Sequence, residues 1–283
     1  MTAVSAQSGR MTLALHQNTS LPAGYRGSLE GWSRAGISGA EIVAEQLDEF
    51  LRTNTAAAAR RLFADLNLTP VAGASRVNEL WEPHPGNVAA RESFRRRCEL
   101  FASVGLTRIY SPTGTTGTFT EDDYKVGADN MRAVGEIASQ FDMTAMVEAV
   151  RASTFISTLP TLLRMTRAAA HPHLKPLLDC YHFWSGNNKL EDLDLIQPGE
   201  IGHMHFQDVP DIPRELLDNT TRIIPGDGIS PLTTILGKVA GTGYSGALSV
   251  ELFAPRFRQG DPFEVASEIR RKSEAVMRQA GVL

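Results

Sequence analysis

Four acidic residues lie inside or at the end of short apolar runs. They are Glu41 in Gly39-Ala-Glu-Ile-Val43, Glu148 closing Met143-Thr-Ala-Met-Val-Glu148, Asp179 closing Leu174-Lys-Pro-Leu-Leu-Asp179, and Glu251 closing Gly246-Ala-Leu-Ser-Val-Glu251. A carboxylate next to such residues is costly to bury without a partner. A cation shared by several of them removes that cost. Glu148, Asp179, His205 and Glu251 come from four successive apolar runs and offer three carboxylates and one imidazole. Mixed oxygen and nitrogen ligands of this kind suit Mn²⁺ first and Co²⁺ or Mg²⁺ next, in preference to a closed zinc site rich in Cys and His. The chemistry this set would support is proton abstraction next to a carbonyl. The metal would act as Lewis acid on the developing enediolate, and Glu148 and Glu251 would move the proton.

Other polar residues collect near the same positions. His16 ends the first apolar run and Glu41 lies in the second, so both are expected to reach substrate. His182 follows Asp179 by three residues, where it can lean over a bound sugar. Arg222 precedes Pro225-Gly-Asp-Gly228 and is a natural clamp for an oxyanion. The glycines of that loop allow backbone N–H groups to approach an anion or sugar hydroxyls. His203 shares a strand face with His205 but is expected to pack lower. His171 and His173 precede a strand and read as surface residues, and His84 lies in a Glu-Pro-His-Pro loop.

These residues need elements to carry them, and the chain repeats one local pattern. A helical stretch ends in Gly or a polar residue, a short apolar strand follows, and the strand ends in polar residues. Glycines fit the left-handed position after a helix. Nearly all-apolar strands fit a parallel sheet buried on both faces. The strands are expected at Thr12–His16, Gly39–Val43, Leu68–Gly73, Thr107–Tyr110, Met143–Glu148, Leu174–Asp179, Ile201–Phe206 and Gly246–Glu251. Helical patterns cover part of Glu41–Leu66, and Val88–Val104, Glu121–Ser139 and Pro262–Ala280. Eight such units in one domain predict an α/β fold, a single (β/α)8 TIM barrel over residues 11–283, after a loose polar leader at 1–10. A doubly wound open sheet is the runner-up, but no GxGxxG follows the first strand.

Composition excludes several classes. The 283 residues are 42% hydrophobic and 21% charged, ordinary for a globular protein. Lys and Arg total 28 against 32 Asp and Glu, which argues against nucleic acid as a partner. No apolar run is long enough to span a membrane. The leader lacks the apolar core of a secretion signal, and two cysteines make no disulfide framework, so a reducing cytoplasm is the expected location.

Taken together, the chain resembles the xylose-isomerase-like TIM-barrel superfamily of sugar isomerases and epimerases. The matching pieces are Gly-Ile-Ser-Gly-Ala-Glu41, Val-Glu148, Asp179-x-x-His182, Gly-His-x-His205, Pro-Gly-x-Gly at 225–228, and Glu251. The resemblance implies that Glu148, Asp179, His205 and Glu251 ligate one divalent metal, and that His182 and Arg222 contact a small carbohydrate substrate. Family habit favours a homo-oligomer, with a subunit of a hetero-complex as the other arrangement. The chain departs from the ketose 3-epimerases at Thr154, where they carry a further Glu, and at Phe206-Gln-Asp-Val-Pro210, where they carry an Arg-containing segment. The expected activity is isomerisation or epimerisation of a keto sugar or related polyol. Elimination from a keto-inositol or 3-keto glycoside at the same site is the alternative. A metal-dependent nuclease and a non-catalytic sugar-binding subunit are remoter ones.

Overall fold

A computed structural model describes residues 10–283. The leader expected over 1–10 therefore lies outside the described residues except for Arg10. Eight parallel strands close into one barrel in chain order: β1 Thr12–His16, β2 Gly39–Val43, β3 Thr69–Ala74, β4 Arg108–Pro112, β5 Thr144–Glu148, β6 Leu174–Asp179, β7 His203–His205 and β8 Ala247–Val250. β1 pairs with both β2 and β8, which completes the ring. The (β/α)8 expectation holds. The helix expected at Glu121–Ser139 has those bounds, and the helices expected at Val88–Val104 and Pro262–Ala280 differ by one residue, at Asn87–Ser103 and Pro262–Gln279. The pattern at 41–66 resolves into strand β2 and two helices, Ala44–Leu51 and Ala56–Asp65. Strand β7 is three residues long, shorter than expected at both ends. Among the described residues no helix is long and apolar enough to cross a membrane.

Strand periodicity sorts the barrel into two cores. Residues two apart share a face. One parity, including Leu15, Ile42, Val147, Leu178, Met204 and Val250, belongs to the large apolar cluster between strands and helices. The other parity faces the barrel interior and becomes polar toward the strand ends. Met146 is followed by Glu148, Leu177 by Asp179, and Ser249 by Glu251. The interior is narrow where β1 meets β2: a Cβ on Gly39 would stand 2.7 Å from the Cβ of Ala14. The first and last helices, Gly24–Arg34 and Pro262–Gln279, seal the seam. They come so close that a Cβ on Gly31 would lie 2.5 Å from that of Pro262.

Candidate metal centre

Glu148, Asp179, His205 and Glu251 converge at the C-terminal mouth of the barrel. One ligand atom from each lies within 4.8 Å of all the others, and all four side chains are buried. Two ligands about 2.1 Å from one ion can be at most about 4.2 Å apart, so small side-chain adjustments bring this set to bonding distance. The strands determine the placement. β6 and β7 pair Asp179 with His205, and Glu251 directly follows β8. Asp179 also caps the short helix Cys180–Ser185: its Oδ1 accepts the His182 N–H at 2.7 Å. That bond fixes one carboxylate oxygen and leaves Oδ2 facing the centre.

The electrostatics fit a divalent cation. Three buried carboxylates face Arg222 and one imidazole. Arg222 Nη1 donates to Asp179 Oδ2 at 2.9 Å and to Glu251 Oε2 at 2.8 Å. His205 Nδ1 lies 3.0 Å from Glu148 Oε1, 3.5 Å from Asp179 Oδ2 and 3.8 Å from Glu251 Oε2. The negative charge is unevenly compensated. Burial pushes the Glu148 carboxyl up to about 7, although His205 pulls it down. Burial also acts on Asp179, but the Arg222 guanidinium and its neighbours outweigh it and hold that carboxyl well below the usual range. On Glu251, burial is outweighed by His16 and Arg222, which bring it below its ordinary value. For His205, burial opposes protonation, yet Glu41 and Glu148 raise its pKa well above the ordinary value. A cation bound among these oxygens would relieve the excess charge that now falls on Glu148.

Above the centre is a cavity of about 280 Å³ lined by Glu148, Glu251, His182, Arg222, Tyr110 and Phe253, among others. His182 and Arg222, the two expected substrate contacts, form part of this wall. Arg222 Nη2 donates to His182 Nε2 at 2.9 Å, so this imidazole nitrogen is the unprotonated one. Burial lowers the His182 pKa to about 4, which keeps the ring neutral. Tyr181 and Phe253 rings lie 5.1 Å from the Arg222 guanidinium carbon, one contact each. His16 and Glu41 are fully buried and do not line the cavity. His16 Nε2 meets Tyr110 Oη at 2.9 Å, and Glu41 bonds His205 and His203.

Several residues of the site carried no singled-out signal in the sequence. Asn18 Nδ2 donates to Glu251 Oε1 at 2.8 Å, and Gln207 Nε2 donates to Asp179 Oδ2 at 2.6 Å. Arg76, with φ of 59°, reaches the cavity and donates to Asn18 Oδ1. Gln207 lies two residues past His205, and strand parity is the signal that could have found it. The glycine loop at 225–228 differs from expectation. The N–H groups of Gly226, Gly228 and Ser230 are taken by the buried Asp208 carboxylate at 2.9 to 3.0 Å, so the loop binds an anion of its own chain. Thr154 is exposed and tied to the β4 loop: its Oγ1 donates to Gly117 O at 2.6 Å.

A barrel with these four residues gathered at its mouth defines a class. A profile of the xylose isomerase-like TIM barrel matches residues 31–278, and the chain belongs to that family. Inosose isomerase of Halalkalibacterium halodurans is 24% identical over 218 residues, 76% of this chain and 77% of that protein. 3-Dehydroshikimate dehydratase of Pseudomonas putida is 28% identical over 138 residues, 48% of this chain but 22% of that protein. The structure of the IolI protein with a binding zinc atom superposes with a TM-score of 0.88 at 20% identity, covering 95% of this chain and 99% of that one. This likeness in structure is one of fold.

Proposed function

We propose that the chain is a divalent-metal-dependent isomerase or epimerase of a keto sugar or keto-polyol, with a cyclic keto-inositol the leading substrate class. The observation that carries this reading is the convergence of three buried carboxylates and one imidazole, within 4.8 Å, on the floor of the cavity. Glu148, Asp179, His205 and Glu251 would hold the metal, which when bound supplies Lewis-acid polarisation of the substrate carbonyl. Mn²⁺ is the first choice for this donor set, ahead of Co²⁺ and Mg²⁺. The chain's own groups do the remaining work. Glu148, freed of its proton when the cation binds, takes the proton from the carbon beside the carbonyl. Glu251, on the other side, would return a proton to the opposite face or the neighbouring carbon after taking one up from solvent, while Glu148 gives its proton back to solvent. His182 and Arg222 orient substrate hydroxyls from the wall, and the neutral His182 ring does so without adding charge.

The same deprotonation followed by loss of a β-hydroxyl would make the site a dehydratase. The partial similarity to 3-dehydroshikimate dehydratase supports keeping that outcome. The test has two parts. Elemental analysis after Mn²⁺ loading should give about one equivalent per chain, as expected for one open site. Incubation with inososes and ketoses in D₂O should then exchange the α-hydrogen for deuterium. Turnover of a matched substrate without C–H cleavage would overturn the reading.

A further inference from the structure

The His205 ring has two nitrogens, and only one faces the mouth. Nδ1 faces the three carboxylates, while Nε2 lies 3.1 Å from Glu41 Oε1. The other Glu41 oxygen, Oε2, lies 3.1 Å from His203 Nε2. Glu41 is fully buried, and His203 and His205 are buried with it. His203 also borders a separate cavity of about 370 Å³ at the N-terminal end of the barrel, among Thr12, Thr69 and Arg108. The three residues thus form a column along the barrel interior, leading from its base to the candidate metal centre.

We infer that Glu41, steadied by His203, is a positioning residue that fixes the His205 tautomer and presents Nδ1 to the metal. This inference rests on the metal reading above. A carboxylate oxygen only accepts, so Nε2 of each ring must be the N–H that donates to Glu41. With Nε2 protonated, loss of the proton that Nδ1 shares with Glu148 Oε1 puts the lone pair of His205 on Nδ1, the nitrogen among the other ligands. Outer partners of this kind set ring orientation and ligand basicity. The position requires a carboxylate. Two N–H donors converge on Glu41 from different rings, and each of its oxygens accepts one. An amide has one acceptor oxygen and would set an NH₂ group against the second donor.

The test uses Zn²⁺, which is diamagnetic, on the full chain. Affinity is read by chelator competition, and ring protonation by long-range ¹H–¹⁵N correlation of the histidines. In the wild type, His205 should carry its proton on Nε2 and bind Zn²⁺ through Nδ1. E41Q should bind Zn²⁺ on the order of 10–100-fold more weakly, with the His205 signal split between two ring states. H203F should lose a smaller factor, and H203Q, which restores a donor, should recover it; this pair supplies the test if E41Q does not fold. Affinity and ring signals unchanged in E41Q would overturn the inference and leave the metal site standing. Uptake of two equivalents by the wild type and one by E41Q would overturn it by making Glu41 a ligand. A wild type that binds no Zn²⁺ would overturn both readings.

Discussion

The β5 and β8 walls of the mouth present the same residue type to the same cavity, but they treat it differently. Glu148 on the β5 wall has His205 as its hydrogen-bond partner, and burial pushes its carboxyl up to about 7. Glu251 beyond β8 is bonded through both oxygens, to Asn18 at 2.8 Å and to Arg222 at 2.8 Å, and its pKa is below the ordinary value. Carboxylates whose surroundings push their pKa values apart divide acid and base work between them. On the proposed reading Glu148 is the first proton acceptor, and Glu251, ionised in the metal-free chain, must take up the proton that it later returns. The comparison also shows that strand-end position alone does not set the electrostatic environment of a carboxylate.

The largest expected effect comes from removing the proton carrier. Glu148→Gln should lower α-hydrogen exchange by 10²–10⁴-fold, and more if metal is lost too, measured by NMR in D₂O at saturating Mn²⁺. Removing the cation of the β8 wall should be felt next, in stability. Arg222→Ala leaves Asp179 and Glu251 as buried charges without their guanidinium, at a cost of about 3–5 kcal/mol in the metal-free protein by denaturant titration. Saturating Mn²⁺ should recover part of that loss, because it replaces the missing positive charge. Equal losses with and without metal would break the account of Arg222 as a charge partner of the ligand set.

Proton linkage sharpens the contrast. Below pH 7 the Glu148 carboxyl holds a proton that a metal must displace. Apparent metal affinity should therefore rise as pH increases toward neutrality, with proton release visible by calorimetry in buffers of different ionisation enthalpy. Stability of the metal-free protein should change in the opposite sense. A carboxyl raised from 4.5 to about 7 and a histidine raised above its ordinary value both favour the fold when protonated; the Glu148 contribution is lost between about pH 4.5 and 7, and that of His205 from about its ordinary value upward. Glu148→Gln should flatten the pH dependence of metal affinity.

The smallest effect belongs to Asn18. Its bond to Glu251 is one charge-assisted hydrogen bond, and Asn18→Ala should cost about 1.5–3 kcal/mol at most. The more telling readout is the Glu251 pKa, which should move up toward that of Glu148. An unchanged value would locate the asymmetry of the two walls elsewhere.

Much of the barrel was legible because buried parallel strands carry a dense apolar signal and glycines mark helix ends. The four proposed ligands were legible because carboxylates beside such strands stand out against their neighbours. What was not legible depends on side-chain direction across the barrel. Glu41 and His16 read like mouth residues, yet they lie beneath the cavity, since a strand's polar residue can sit a layer lower than its end. Asn18 and Arg76 meet across 58 positions of chain, and only closure of the barrel brings them together. The loop at 225–228 has an anion-binding composition, but its anion, Asp208, comes from the same chain.

The most direct test of the account compares α-hydrogen exchange in Glu148→Gln and Glu251→Gln, each at metal saturation confirmed by elemental analysis, with a keto-inositol in D₂O. Glu148→Gln should lower deuterium incorporation by about 10²–10⁴-fold. Glu251→Gln should retain deprotonation and incorporate deuterium into recovered substrate while product formation falls. Exchange that survives in Glu148→Gln and disappears in Glu251→Gln would contradict the account and transfer the proton to the β8 wall.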